Sequence, residues 1–385
     1  MEFNLTVTES TTPLNGSGGM NFSLYTNSVM GGMEGGGGAG GLPTEINHKA
    51  CVLYKFVVYT VFLGCLCILG VIGNLVAYVV FWKDTIKTST TFLFQGLSMI
   101  DTVLLLTAFP IYVIQPLVEY MDVLQSFQYI QPYILVYILP CTFTAQTATI
   151  WVTVLVGFNR YVAVCKPYQA SRLCNISMAR KYLLIVLCLS FLYNIPRFAA
   201  SKINYELGPN NETIAIPSYT EMGKNPLYLI IYNNILYLIF LLILPLLTLT
   251  ILNVRLINAL KEIKRRRMEM QSLRQQQDNN VTFVLIIVVL VFTVCQLPAL
   301  VNQLLWNILS DGHRICGGFQ YYFSCLSNLL VIINSAINYL IYFLFNKRFR
   351  TVFLETVCKG KLGPYDKKPG RNGNLKGLET TQTLL

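Results

Sequence analysis

The sequence predicts an all-α membrane protein, a bundle of seven transmembrane helices followed by a short amphipathic helix. Of its 385 residues, 54% are hydrophobic and only 12% are charged, whereas a soluble domain carries about 25% charged residues. Most of the folded surface must therefore face lipid. Seven apolar runs, called spans one to seven, each reach or approach the roughly 20 residues that cross a bilayer as a helix. They cover residues 53–82, 91–118, 130–163, 179–199, 226–260, 279–309 and 318–343.

The net charge of +11 raises the question of a nucleic-acid partner, but the placement of the basic residues argues against one. They lie in short clusters between the apolar runs, as in the loops of membrane proteins. The eleven cysteines do not indicate a disulfide scaffold either. Many lie inside the spans and act there as small hydrophobic side chains: Cys65, Cys67, Cys188, Cys295 and Cys325.

We divide the chain into four regions. Residues 1–50 carry no apolar run, so no cleavable signal peptide is predicted. They are rich in Gly, Ser, Thr and Asn, and with glycosylation sites at Asn4, Asn15 and Asn21 they predict a disordered, glycosylated extracellular tail. The other regions are a seven-transmembrane domain, an amphipathic interfacial helix and a cytoplasmic tail: 51–345, 346–358 and 359–385.

The loops alternate in basic content, which predicts the orientation. Lys and Arg are abundant in the first, third and fifth loops and after span seven, and scarcer in the loops between. Basic loops stay in the cytoplasm, so the N-terminus is predicted outside the plasma membrane and the C-terminus inside. Asn211 then falls outside and is a glycosylation candidate, whereas the matching sites at Asn175 and Asn280 fall inside and are rejected.

The segment after span seven has helical amphipathicity. Phe345, Phe349, Val352 and Phe353 share one face, opposite three basic residues, which predicts a helix on the inner leaflet. Cys358 at its end is a palmitoylation candidate, with an ordinary free thiol as the alternative. The terminal residues 383–385 fit a peptide that adds to a PDZ sheet edge, although three residues match often by chance.

Polar residues inside the spans are the main functional signal. Asp101 is the only acid within the seven spans. A carboxylate at the bilayer centre costs at least about 2.5–3.5 kcal/mol unless it is paired or faces a polar cavity. In span seven, Asn334 and Asn338 are four residues apart and share one helical face, with Tyr342 four residues further.

Several motifs together resemble rhodopsin-like G-protein-coupled receptors. They are the Asn159-Arg160-Tyr161 end of span three with Pro167, the Gly73-Asn74 pair, the Asp101 motif, Pro245, Pro298 and the span-seven motif at 334–342. The chain departs from the family pattern: Asn159 replaces an acid, Gln296 a Trp and Tyr339 a Pro. The segments AQTATIWVTV, NRYVAVCKPYQASRLC, LYNIPRF, ILNVRL, SNLLVIINSAINYLIY and NKRF further resemble invertebrate FMRFamide-type neuropeptide receptors, over about residues 55–357.

The resemblance implies a sodium site in the polar core. In such receptors this cluster holds a sodium ion in the inactive state, as a negative allosteric modulator. Oxygen ligands around one carboxylate suit a hard cation. A hydrogen-bonded core without an ion is the alternative, and no other cofactor is expected. The matching residues are Asn74, Asp101, Thr149, Asn334, Ser335 and Asn338.

The resemblance also implies activation of a heterotrimeric G protein, with arrestin and membrane lipid as further partners. Arg160 would face the cleft that opens when span six swings out, supported by Tyr161 and Tyr342. Asp278 matches the family's acidic partner on span six, so we expect it to pair with Arg160 in the resting state. Asn159 removes a restraining carboxylate, which predicts high basal activity. The helix-six switch residues would be Phe292, Gln296 and Pro298.

The ligand pocket is expected between the outer halves of spans three, five, six and seven. Thr142 stands where amine receptors carry Asp, which disfavours a monoamine, and span seven has no Lys for a retinal Schiff base. An amidated peptide with a basic residue would need carboxylates: Glu119, Asp122, Glu206, Glu221 and Asp311. Aromatic candidates are Tyr137, Tyr232 and Trp306. A solvated rim and ordinary helix packing are the alternative roles.

The family's usual disulfide cannot form, because the loop 197–226 has no cysteine. Cys51 and Cys316, both near outer helix ends, either pair instead or stay as two free thiols.

A transporter or channel is the second functional hypothesis. Transporters usually have internal repeats or several buried charges, and channels have charged pore rings; neither pattern occurs here. A receptor that activates itself, or one with a non-peptide ligand, also fits the motifs. An enzyme is not expected, because the only histidines, His48 and His313, lie outside the spans and no nucleophile–base spacing is present.

Overall fold

The computed structural model describes residues 45–121, 126–207, 213–270, 276–309 and 316–357. Within them, six helices are long and apolar enough to cross a membrane, and a bent helix pair makes the seventh span. The predicted bundle of seven helices is therefore confirmed. In chain order the spans are Lys49–Lys83, Ser89–Met121, Phe127–Cys165, Ile176–Ala199, Tyr228–Ile263, Ile286–Leu305 and the pair Phe319–Ala336 with Asn338–Phe345.

Several helices continue beyond their apolar runs. Span one belongs to a helix that begins at Glu45, six residues before the boundary predicted at residue 51, because helix-forming residues such as Glu and Lys extend it without needing burial. Span five continues to Met270 and span six starts at Gln276, so both project from the membrane. Apolar runs mark only the part of each helix that faces lipid or core.

A β-hairpin follows span four. Strand β1, Ser201–Leu207, pairs antiparallel with β2, Thr213–Tyr219, and Ser201 lies opposite Tyr219. We call the end of the bundle that carries this hairpin the hairpin face. The opposite end is called the basic face; it carries Arg160, the short helix Pro167–Leu173 and the helix Lys347–Val357. The search for apolar spans did not predict the hairpin.

The hairpin-face ends of four spans contain π-helical stretches. These stretches are Phe56–Leu63, Pro110–Ile114, Ile134–Ile138, and in span five Tyr228–Leu236 and Leu238–Ile243. A π-helical turn changes which side chains face the neighbouring helix, and such turns are frequent at functional sites. The hairpin-face half of the bundle is therefore the less regular half.

Two glycines allow spans one and seven to approach closely. A Cβ on Gly70 would lie 2.8 Å from the Ala336 Cβ, and one on Gly73 would lie 2.9 Å from the Tyr339 Cβ. Real Cβ atoms do not approach so closely, so these positions need glycine to keep this packing. The close contact brings the polar side chain next to Gly73 within reach of the span-seven backbone.

Span seven bends by 46° at its break. The Asn74 side-chain amide donates to the Ser335 carbonyl oxygen over 2.9 Å. In a regular helix that carbonyl would accept from the amide of Tyr339. A side chain that inserts into the helical hydrogen-bond ladder is a known cause of a kink, and it explains a break at a point where span seven has no proline.

The helix Lys347–Val357 is fixed to the bundle by an ion pair and by aromatic packing. Arg348 binds both carboxylate oxygens of Asp84, with its Nε 2.8 Å from Oδ2. The carboxylate is almost fully buried, which excludes the competing water. Phe349 packs against Phe81 and Tyr342. The predicted apolar face of this helix is thus directed into the bundle through Phe349.

Candidate functional site

Asp101 is the centre of a buried polar core. Its carboxylate is fully buried and accepts two hydrogen bonds. Thr149 Oγ1 donates to Oδ1 over 3.0 Å, and Asn338 Nδ2 donates to Oδ2 over 2.7 Å. Spans two, three and seven therefore meet at one carboxylate, and the hydrogen bonds reduce the cost of burying it.

The structure brings the other sodium candidates to the same level. Asn74, Asn334 and Ser335 are all buried, and Asn74 binds the Ser335 carbonyl. The Asn74 Oδ1 has no hydrogen-bond partner among the described residues, and the Ser335 hydroxyl lies beside the Asp101 carboxylate. Buried side-chain oxygens around a carboxylate are the donor set that a hard cation such as sodium prefers, so the residues fit the ion.

Asn159, beside Arg160, is bound to a different helix. Its side chain exchanges hydrogen bonds with the Ser89 hydroxyl at the start of span two, over 3.0 Å. Its carbonyl also faces the Cys174 thiol, whose sulfur lies 3.5 Å away. Burial raises the pKa of that thiol, and the nearby Arg160 guanidinium opposes the shift. The basic-face end of span three is therefore joined to span two by a neutral pair.

Arg160 lines a cavity on the basic face. The cavity has a volume of about 510 Å³ and lies between the start of span two, the end of span three and the start of span four. Lys87 and Cys174 also line it. Tyr161 points elsewhere, since its hydroxyl accepts from Arg255 Nη1 of span five over 3.4 Å.

Tyr342 packs among aromatic side chains in this conformation, and its predicted role beside Arg160 stays a prediction. It is fully buried and packs against Phe81, Phe94 and Phe349. Its hydroxyl has no hydrogen-bond partner within the described ranges, so it does not support Arg160 in this conformation. The aromatic side chains of spans one and two and of the following helix hold the ring there.

Asp278 lies in the helix Gln276–Ile308, but its side chain is outside the described part of the chain. Its pairing with Arg160 therefore stays a prediction.

The span-six switch residues lie in the core. Phe292 is fully buried, Gln296 is buried and Pro298 lies inside the helix, half-buried. The Gln296 Oε1 has no partner among the described residues. A buried carboxamide oxygen without a hydrogen bond destabilises this arrangement and favours any alternative that satisfies it.

Two of the pocket candidates, Glu119 and Tyr137, have surroundings that do not favour contact with a ligand in this structure. Glu119 is paired with Lys55 of span one at 2.6 Å; the lysine is buried and the glutamate is partly exposed. The nearby lysine removes this carboxylate from those available to a basic ligand. Tyr137 is 56% exposed on the outer surface of the bundle, where lipid would cover it. Glu206 and Glu221 are exposed, on β1 and on the helix Glu221–Lys224.

The remaining pocket candidates divide into two groups. Thr142 is buried, but its hydroxyl donates to the Ile138 carbonyl of its own helix over 3.1 Å. Tyr232 is buried, and its hydroxyl donates to the Tyr193 carbonyl of span four over 2.6 Å. Asp122 and Asp311 lie outside the described residues, as does the side chain of Trp306.

The structure adds polar groups that the sequence reasoning missed. Gln303 of span six donates to the Asn234 side chain, and the neighbouring Asn302 accepts from Gln320 and Ser324 of span seven. Arg197, which was not singled out from the sequence, is a buried residue in the last turn of span four. The signal available for it was its place next to Pro196, within an aromatic-rich segment.

Cys51 and Cys316 are joined by a disulfide, with their Cα atoms 5.9 Å apart. It ties the start of span one to the segment before span seven. Asn175, rejected as a glycosylation site, caps span four by accepting from the Met178 amide over 2.8 Å. Four glycosylation candidates and the palmitoylation candidate lie outside the described residues: Asn4, Asn15, Asn21, Asn211 and Cys358.

Comparison with known proteins agrees with this geometry. The family model of the seven-transmembrane receptors of the rhodopsin family matches residues 73–342. The chain is 30% identical over 310 residues to the FMRFamide receptor of Drosophila melanogaster, covering 80% of the chain and 55% of that relative. It is 29% identical to the FMRFamide peptide receptor frpr-18 of Caenorhabditis elegans, covering 76% of the chain and 67% of the relative. It is 25% identical to the mouse neuromedin-U receptor 2, covering 76% of the chain and 74% of that relative. The chain thus spans little more than half the length of the Drosophila relative.

Proposed function

Because the chain belongs to the rhodopsin family of seven-transmembrane receptors, we propose that it is a receptor for an extracellular, amidated neuropeptide of the FMRFamide-like class. In this proposal the bound peptide activates a heterotrimeric G protein. The observation that carries the proposal is the similarity to two FMRFamide receptors over about three quarters or more of the chain. The third relative, a neuromedin-U receptor, supports a peptide ligand more broadly.

The proposed orientation in the plasma membrane puts the hairpin face outside the cell. The distribution of Lys and Arg supports it, because the loops of the basic face carry most of them. The peptide would bind between the spans at the hairpin face, and the G protein, and later arrestin, would bind at the basic face. The helix Lys347–Val357 would lie against inner-leaflet lipid.

The proposed mechanism couples the two faces through the packed core. Peptide binding would rearrange spans three, six and seven, and the partnerless Gln296 oxygen lies on the span that has to move. The basic-face end of span six would then swing outward and expose Arg160 to the G-protein α-subunit. The span-five extension supports docking, because the helix continues beyond its buried Leu256 into basic residues at the basic face.

We also propose that sodium binds beside Asp101 and stabilises the resting arrangement. The carboxylate, Asn74 Oδ1 and the Ser335 hydroxyl would be among its ligands. Raising sodium in place of a larger monovalent cation should weaken agonist binding to the wild-type receptor, and Asp101→Asn should remove that dependence. A sodium effect that persists in Asp101→Asn would exclude this site.

The experiment that tests the function is G-protein activation in cells that express the chain. The probes are FMRFamide and a panel of other amidated peptides. Arg160→Ala is compared with Arg172→Ala, which removes an exposed basic residue of the same face, at matched surface levels. We expect a response that Arg160→Ala abolishes and Arg172→Ala retains.

Other outcomes separate the competing functions. Silence across the peptide panel, with good surface expression, would exclude the proposed ligand class and favour a non-peptide ligand. A high signal without peptide would favour a receptor that activates itself. A peptide-evoked ion current without G-protein activation would favour a channel.

A further inference from the structure

Arg197 is a buried cation near the hairpin face. It lies in the last turn of span four, directly after Pro196, and its side chain is only 8% exposed. The negative end of the helix dipole favours a cation at this position, but that effect does not require burial. A solvated arginine at the end of a span would extend to the interface instead. The burial of this guanidinium therefore requires another explanation.

Aromatic rings surround the guanidinium. Its Cζ lies 4.2 Å from the Phe143 ring centre, 5.3 Å from that of Tyr232 and 6.0 Å from that of Tyr237. Spans three and five supply these rings, so Arg197 points into the bundle. The faces of aromatic rings attract the positive charge, but they do not supply acceptors in the plane of the guanidinium.

The in-plane donors of Arg197 are only partly satisfied. Neither Nε nor Nη2 has a hydrogen-bond partner among the described residues. The hydroxyls of Tyr193 and Tyr232 approach the group, but the Tyr232 hydroxyl already donates to the Tyr193 carbonyl. Buried arginine is normally paired with a carboxylate or another strong acceptor, because its fixed fork of donors matches two acceptor atoms.

We propose that Arg197 and its ring of aromatic side chains form a ligand subsite that binds an acceptor oxygen at the C-terminal end of a peptide. The group is a carboxamide or a carboxylate, and its neighbouring side chain would pack on Tyr232 and Phe143. This inference rests on the proposed peptide-receptor function and assigns one end of the ligand to one residue. It also reverses the earlier expectation for this region, where we looked for carboxylates that bind a basic peptide.

The position of the subsite agrees with access from the hairpin face. Tyr228 opens span five and stacks on Tyr232 one turn deeper, with ring centres 5.2 Å apart. Arg197 is thus about one helical turn below the mouth of the bundle. The buried amides of Gln303 and Gln320 and the half-buried amide of Asn302 lie on spans six and seven, where they would meet other polar parts of the same peptide.

The test combines a stability measurement with a binding measurement on the purified, full-length receptor in detergent. The variants are Arg197→Met, which fills the aromatic site without charge, and Arg197→Lys, which keeps the charge but loses the planar fork. Lys202→Met is the matched control, because Lys202 is an exposed cation of β1 on the same face. Thermal unfolding is followed without ligand, and with N-acetylphenylalaninamide or its free acid, N-acetylphenylalanine.

We expect Arg197→Met to unfold at a temperature no lower than that of the wild type, since no buried charge is left without an acceptor. One of the two probes should raise the midpoint of the wild type and of Lys202→Met by a few degrees, and leave Arg197→Met unchanged. The amide and the acid distinguish a carboxamide ligand from a carboxylate ligand. In cells, FMRFamide should lose about tenfold or more in potency on Arg197→Met, and less on Arg197→Lys.

Four results would overturn the subsite. A clearly lower unfolding temperature for Arg197→Met would assign the guanidinium a structural role. Equal stabilisation of the wild type and Arg197→Met, or stabilisation of neither by either probe, would also contradict it. A different result would contradict the proposed function alone. If probe binding depends on Arg197 but FMRFamide evokes no response, the subsite is supported and the proposed peptide class is excluded. Unchanged FMRFamide potency on Arg197→Met rejects only the subsite.

Discussion

At the scale of single residues, Asn159 shows how a neutral side chain restrains the end of span three. The sequence shows that an acid is missing beside Arg160, and from that we expected weak restraint. The structure supplies a bond that the sequence does not reveal, because Ser89 lies 70 positions earlier and belongs to span two. Such a partner depends on how the spans pack, and no local pattern encodes it.

This hydrogen bond predicts a phenotype for Ser89→Ala. A buried hydrogen bond contributes about 0.5–1.5 kcal/mol, and 1.4 kcal/mol is a tenfold change in an equilibrium. If the bond holds span three in the resting position, Ser89→Ala should raise basal signalling about twofold to tenfold. The measurement is G-protein activation without ligand, normalised to surface level. Ser171→Ala, at an exposed serine of the same face, is the control and should leave the signal unchanged.

An unaltered basal signal in Ser89→Ala would show that the pair with Ser89 does not restrain activation. The predicted pair of Asp278 with Arg160 would then be the restraint to examine, through Asp278→Ala.

At the scale of elements, the sequence predicted the spans and the polar residues within them. It did not predict which partners these side chains contact. The span-seven motif indicated that Asn334 and Asn338 share a face, and the structure puts Asn338 on Asp101. Tyr342 lies on the same stripe, yet the break at residue 337 and the aromatic residues of other helices direct it away from Arg160. Helical periodicity predicts a direction only while the helix stays regular.

The contact between spans one and seven makes Gly73 sensitive to substitution. A methyl group at Gly73 would meet the Cβ and ring of Tyr339 at 2.9 Å, where the backbone must shift. Overpacking of this kind costs about 1–3 kcal/mol. We expect Gly73→Ala to lower the unfolding temperature of the purified receptor and to disturb the nearby Asp101 core. Its agonist binding should also lose sodium sensitivity.

Gly96→Ala is the matched comparison. An added Cβ there would meet only the end of the flexible Leu183 side chain, 2.8 Å away, and Leu183 can rotate. Its unfolding temperature should stay close to that of the wild type. Equal destabilisation by the two substitutions would show that the close approach of spans one and seven has no special role.

At the scale of the whole molecule, the composition was enough to predict a membrane bundle. A chain with so few charged residues cannot cover most of its folded surface with groups that face water, so most of that surface must face lipid. The composition did not predict which charges the bundle would bury. Arg197 and Lys55 resemble loop or rim charges in the sequence, and the structure buries both, Lys55 as the partner of Glu119. Their burial follows from contacts between helices that are distant in sequence. The same is true of the disulfide partners, which the sequence left open as a pair or two free thiols.

The Cys51–Cys316 bond gives a prediction for the complete receptor. A disulfide typically stabilises the folded protein by about 2–4 kcal/mol. Cys51→Ser, Cys316→Ser and the double variant should therefore show the same reduced unfolding temperature. Cys188→Ser, at an exposed cysteine of span four, is the control. A double variant that is as stable as the wild type, or single variants that differ from each other, would contradict a functional bond.

The same bond makes the polypeptide a closed ring. The two cysteines are 265 positions apart, and the covalent loop that they close contains most of span one and the whole of spans two to six. A single protease cut in any loop inside the ring opens it without releasing a fragment. Without reductant, the nicked receptor should migrate as one species, and only a reducing agent should separate it in two. A receptor that is cleaved once in an exposed loop should therefore stay assembled, since the disulfide keeps its two fragments covalently joined in the membrane.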